Sequence, residues 1–202
     1  MANLTTATAT TLIRLLLDKA ESPYYTDAEI TLFLELGIKE FINENYKKFE
    51  VNQATRDNLR TLVKTSTSLT QVIPDQFDIT SLSDYRHFLS FEVIIGTNAE
   101  YVKILQLDDY LAIKKDPFNK PSITNIIGVI EDNKIKIYKD NNNSVTSHIL
   151  TYLSWDESTD NIASLPDHTH EDIVNITVRK LMGSVKDPAY QTQINEELKN
   201  KI

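Results

Sequence analysis

The segment LPDHTHED, residues 165–172, comes nearest to a catalytic or metal site in residue type and spacing. It holds two of the four histidines, His168 and His170, as H-x-H, with Asp167, Glu171 and Asp172 beside them. On a β-strand alternate residues share a face, so two imidazoles so placed can grip one ion. On a helix, residues two apart diverge by about 200° and cannot. Here a proline precedes, and Ile173, Val174, Val178, Leu181, Met182 and Val185 follow as an apolar stripe at helical spacing. Asp167 or Thr169 can cap such a helix, and Glu171 and Asp172 fall in its first turn, where the helix dipole favours acids. Catalytic zinc also needs a third ligand and an open position, and His87 and His148 lie in no ligand-like motif. The segment therefore reads as a helix start. The expectation is a protein that is not an enzyme, with no catalytic residue, no metal and no cofactor.

Other chemical signals are sparse. Gly37, Gly96, Gly128 and Gly183 stand too far apart to cradle a phosphate, and no G-x-S-x-G elbow is present. Adjacent acids such as Asp108–Asp109 and Glu196–Glu197 read as solvated faces; a glycosidase pair would have to be found in three dimensions.

The elements that position these residues follow from patterning. With 202 residues, 41% hydrophobic and 25% charged, the chain suits one domain, or a helical and a β subdomain sharing a core. No apolar run approaches the roughly 20 residues that span a bilayer, so no membrane partner is expected. The N-terminus lacks a basic region before its apolar centre and reads as a helix, not a signal peptide. Absence of cysteine excludes disulfides and thiolate zinc and favours a reducing cytoplasm. A net charge of −8, with five scattered arginines, argues against a basic nucleic-acid groove.

Ile30, Phe33, Leu34, Ile38, Phe41, Ile42, Tyr46 and Phe49 repeat at amphipathic-helix spacing, and Thr26 with Glu29 forms a capping box at the start. That predicts a helix from Thr26 to about Lys47. Further helices are expected over roughly Thr8–Ala20 and Asn52–Lys64. From TSTSLTQVIP to about Trp155 the texture is β. FLSFEVIIG and AEYVKILQL flank a Gly-Thr-Asn turn; NIIGVI turns through EDN into KIKIYK; DNNNS leads into VTSHILTYLSW. Between them LDDYLAIKKDPFNKPS reads as a helical turn and a long loop pinned by Pro117 and Pro121. The expected fold class is α+β: a helical bundle from N-terminal and C-terminal helices with an inserted antiparallel β domain. The expected boundaries are 1–64 and 165–202 for the helices and 65–164 for the β part.

Two features read as interaction surface. Phe118 sits between Pro117 and Pro121 in a polar loop; it either tucks into its own core or serves as a stiff anchor for a partner. A last helix over Ala189 to about Lys199 carries Tyr190, Ile194 and Leu198 at i, i+4, i+8. That stripe either pads the helical part or docks on another subunit.

The order of these elements, from YTDAEITLFLELGIKEF through the β region to ILTYLSWDES and LPDHTHEDIVNITVRKLMG, resembles the head–tail connector ring proteins of short-tailed bacteriophages, of the adaptor or tail-tubular type. The DPFNKP loop looks most like the neck ring proteins of crAss-like phages. The resemblance covers most of the chain through loose apolar spacing, and meets the family pattern at Tyr152 and His170, which are structural positions there. It implies a structural virion protein of the neck or tail, assembled in the host cytoplasm. Copies would form a ring, about twelve-fold, against the portal protein and adjacent neck or tail rings, lining the channel through which DNA passes without sequence-specific contact. The readings from other classes are a metal-dependent enzyme using His168 and His170, and a monomeric β-rich binding module.

Overall fold

A computed structural model of the chain describes residues 4–19, 25–116, 118–140, 144–157 and 160–184. Five α-helices and two sheets are present among them: α1 (Thr6–Lys19), α2 (Asp27–Tyr46), α3 (Gln53–Leu59), α4 (Leu107–Ile113) and α5 (His170–Ser184). The fold class is mixed α+β. The chain divides into two compact units, Met1–Leu62 with Glu157–Ile202, and Val63–Asp156.

In the first unit α2 packs on α1, α3 and α5, and α1 also packs on α5. The capping box forms: the Thr26 N–H donates to Glu29 Oε2 at 2.8 Å, and the Glu29 N–H donates to Thr26 Oγ1 at 3.3 Å. Two of the first-turn N–H groups that a helix leaves unpaired are thereby satisfied. Ile30, Leu34, Ile38, Phe41 and Ile42 are buried as the periodicity predicts, whereas Phe33 is half-buried and Leu32 and Leu36 face solvent. On α1 the buried row is Ala9, Ile13 and Leu17; on α5 it includes Ile173, Val174 and Leu181. Gly37 lets α2 and α5 approach closely, since a Cβ there would overlap Thr177 Oγ1. That hydroxyl is already committed, donating to Ile173 O at 2.8 Å. Glu40 pairs with Arg179 and Lys180 across the same two helices.

The third helix is shorter than the sequence suggests. A 3-10 turn (Arg60–Leu62) ends it, and strand β1 (Val63–Ser66) begins where β-branched and hydroxylic residues accumulate. The second unit continues with β2 (Thr70–Ile73), β3 (Gln76–Asp78), β4 (Tyr85–Ile95), β5 (Asn98–Tyr101), β6 (Lys103–Leu105), β7 (Ile127–Glu131), β8 (Lys134–Tyr138) and β9 (Val145–Ser154). One sheet has the order β1-β9-β4-β5 and the other β2-β3-β8-β7-β6. Alternate residues Phe91, Val93 and Ile95 of β4 and Leu150 and Tyr152 of β9 join Phe77, Ile135 and Ile137 of the other sheet in one buried cluster. The sheets thus face each other, with Phe77 edge-on to Phe91 at 5.4 Å.

Two details correct the expected antiparallel β domain. β6 pairs with β7 in parallel; every other pairing is antiparallel. The long connection through α4 and its loop gives the chain room to return in the same direction. AEYVKILQL is also two strands, not one. The Val102 N–H donates to Phe91 O in the first sheet, and the Lys103 N–H to Ile126 O beside the second, so the chain changes sheets within one residue. The turns follow residue chemistry: Asp132 and Asn133 take φ of 50° and 56° in the two-residue β7–β8 hairpin, and Gly96 takes 65° between β4 and β5. Tyr110 and Ile113 of α4 pack with Ile127 and Val129 of β7, and Tyr110 stacks on Tyr138 at 3.9 Å.

Candidate interaction site

Pro166 is extended, a 3-10 turn spans Asp167–Thr169, and α5 begins at His170. The turn satisfies its own backbone. The Thr169 N–H and hydroxyl both donate to Pro166 O, at 2.9 and 2.8 Å, and neither Asp167 nor Thr169 serves as the side-chain cap that the sequence suggested. The two histidines bond to different partners. His170 is buried and its Nε2 donates to Leu165 O at 3.0 Å, since a carbonyl oxygen can only accept. His168 is exposed, with Nε2 2.9 Å from Asn58 Oδ1. Among the described residues, no three of His, Asp or Glu are grouped to hold a metal ion.

The loop after α4 has another character. Asp116 Oδ1 accepts the Phe118 N–H at 2.9 Å, and Oδ2 accepts from Asn119 Nδ2 at 2.6 Å. These bonds favour the carboxylate, the Asn119 side chain most, and hold Asp116 below the usual aspartate range. Asn125 Nδ2 donates to Asn119 O at 2.9 Å, and the Ser122 N–H donates to Asn125 O at 3.0 Å. The loop is thus closed by its own side chains and holds Phe118 outward, 92% exposed. Pro121 is half-buried. Pro117 and the stripe Tyr190, Ile194 and Leu198 lie outside the described residues.

Apolar side chains that the sequence reading did not single out are also exposed. Leu107 and Leu111 lie one turn apart on α4, Leu12 and Leu15 lie on α1, and Val72 and Ile73 lie on β2 at a sheet edge. A signal for α1 existed: TLIRLLLDK has more apolar positions than one core-facing stripe can use.

Tyr152 is buried and donates to Asp84 Oδ1 at 3.0 Å, while Lys64 Nζ pairs with Asp84 Oδ2 at 2.8 Å. Burial and the Asp84 carboxylate together push the Tyr152 hydroxyl up to about 12. Partial burial pushes Asp84 up, but Lys64 and Tyr152 outweigh it and hold the carboxyl below its ordinary value. This cluster fixes β1 and β9 to the turn before β4. Its groups are bonded to one another, which makes it a structural device.

No protein-family model matches the sequence, and comparison with curated proteins finds no match.

Proposed function

We propose that the chain is a structural virion protein, a ring of the phage head–tail connector. In this reading the N-terminal and C-terminal helices form one bundle into which the β domain is inserted. About twelve copies close a ring between the portal protein and the adjacent neck or tail rings. The observation that carries the proposal is the Phe118 loop, an aromatic ring held 92% exposed by a self-bonded frame. A large apolar side chain fixed in water is unfavourable in an isolated chain and useful to one that docks.

Charge supports the same reading. Twelve copies at −8 carry roughly −96, a field that repels a DNA backbone and lets it slide. The test is electron microscopy of the purified protein mixed with the portal protein of its virus. Rings seated on the portal are the expected result. A monomer that never joins the portal, or stoichiometric metal lost on replacing His168 and His170, would decide against it.

A further inference from the structure

We infer that the Phe118 loop of one copy docks into the groove between α1 and α5 of the next copy; this rests on the ring reading and names its subunit contact. The groove lies within the helical unit and encloses about 310 Å³. Leu4, Leu12 and Leu16 line one side and Val174 the other. Asp167 and Glu171 stand at its edge, both exposed and, among the described residues, without an ion-pair partner. Leu12 is 38% exposed there, surplus to the Ala9, Ile13 and Leu17 row that α1 buries.

The loop is the complement of that groove. Phe118 offers one large apolar ring, roughly 150–250 Å² of surface to bury, and a groove at the small end of ligand-site volumes takes one such group. Lys114, Lys115 and Lys120 flank it, all exposed and, among the described residues, without ion pairs. With three lysines against the one carboxylate of Asp116, the loop carries net positive charge beside its aromatic tip and meets a groove that is apolar with two acidic residues in its lining. An anchor desolvated in a pocket and ringed by polar pairs is the arrangement that concentrates binding energy, and the opposed charges fix its register. The Asp116, Asn119 and Asn125 bonds set the loop before it docks, which lowers the ordering cost. The two patches are unlike, so the contact is heterologous. Each copy inserts one loop and receives another, and a rotation that closes yields a ring.

The chain has no cysteine, so introduced thiols are unique. Lys120→Cys and Glu171→Cys proteins are mixed and oxidised over a range of concentrations. The expected product is a covalent dimer well above what either protein gives alone. In sedimentation velocity, wild type should associate with concentration. Phe118→Ala should weaken that association by about tenfold or more. Lys114→Glu/Lys115→Glu should weaken it as well, and adding Asp167→Lys/Glu171→Lys in the same chain should restore it, which separates lost contact from lost fold. If wild type associates but Phe118→Ala associates equally and no cross-link forms, the docking is overturned and the ring reading stands. If wild type stays monomeric and uncross-linked at every concentration, the docking is overturned too, and microscopy with the portal decides the ring reading separately.

Discussion

His170 and Phe118 both sit in short, polar, proline-marked segments, yet one side chain is 5% exposed and the other 92%. The difference lies in where each backbone finds its partners. After Pro166 a 3-10 turn runs directly into α5, and the helix carries His170 beneath the chain to bond Leu165 O. After α4 the loop closes on itself through Asp116, Asn119 and Asn125, so nothing draws Phe118 inward. Both segments are polar, though of opposite charge; the continuing helix decided the outcome.

The comparison can be broken at its strong end first. Phe41, 4% exposed in the same unit as His170, marks what an inward ring contributes. Phe41→Ala should cost about 3–5 kcal/mol in denaturant unfolding; under about 1 kcal/mol would mean that the helical core is not closed there. His170→Ala should cost about 2–3 kcal/mol, because it removes packing and leaves Leu165 O without its donor. A cost near zero would place His170 with Phe118 and dissolve the contrast. Gly37→Ala tests the packing that α5 needs. Alanine favours a helix by about 1 kcal/mol over glycine, so any net loss of stability measures the clash with Thr177.

A pH series sharpens the comparison with a third ring that is neither buried nor free. His148 Nε2 accepts the Leu69 N–H at 3.1 Å beside Phe77, and burial holds the imidazole below its ordinary 6.5. The unfolded chain therefore binds the proton first. Stability from this group is complete above about 6.5 and falls as the pH drops through the folded value. Unfolding between pH 7 and 5 should show that slope together with one from His87, which burial and Arg86 also hold low, so His148→Gln, which keeps an acceptor, should reduce it. An unchanged slope would assign it to other groups. The smallest effect is expected at the outward end: Phe118→Ala should move stability by no more than about 0.5 kcal/mol. A loss near that of Phe41→Ala would show that the ring packs at home.

Much of the helical half was readable because its signals are local. The Thr26–Glu29 box and the Ile30-to-Ile42 spacing mark the start and face of α2 within one stretch of chain. The β half was readable as texture and as the EDN hairpin, where Asp132 and Asn133 accept positive φ. Its pairing was not. Splitting AEYVKILQL at Val102 depends on acceptors at Phe91 and Ile126, distant in sequence, and no periodicity within nine residues encodes them.

The same division governs the candidate site. The sequence by itself determined that H-x-H sits at a helix start, that Phe118 stands in a constrained polar loop, and that the chain is acidic. Those properties depend on residue type and on neighbours a few positions away. Only the tertiary structure decided that His168 turns to Asn58 while His170 turns to Leu165, that Phe118 faces water, and that Leu12 and Leu16 line a groove with Val174. Each of those outcomes depends on which distant side chain or backbone group occupies the facing position, and that is fixed when helices and sheets pack, not when they form.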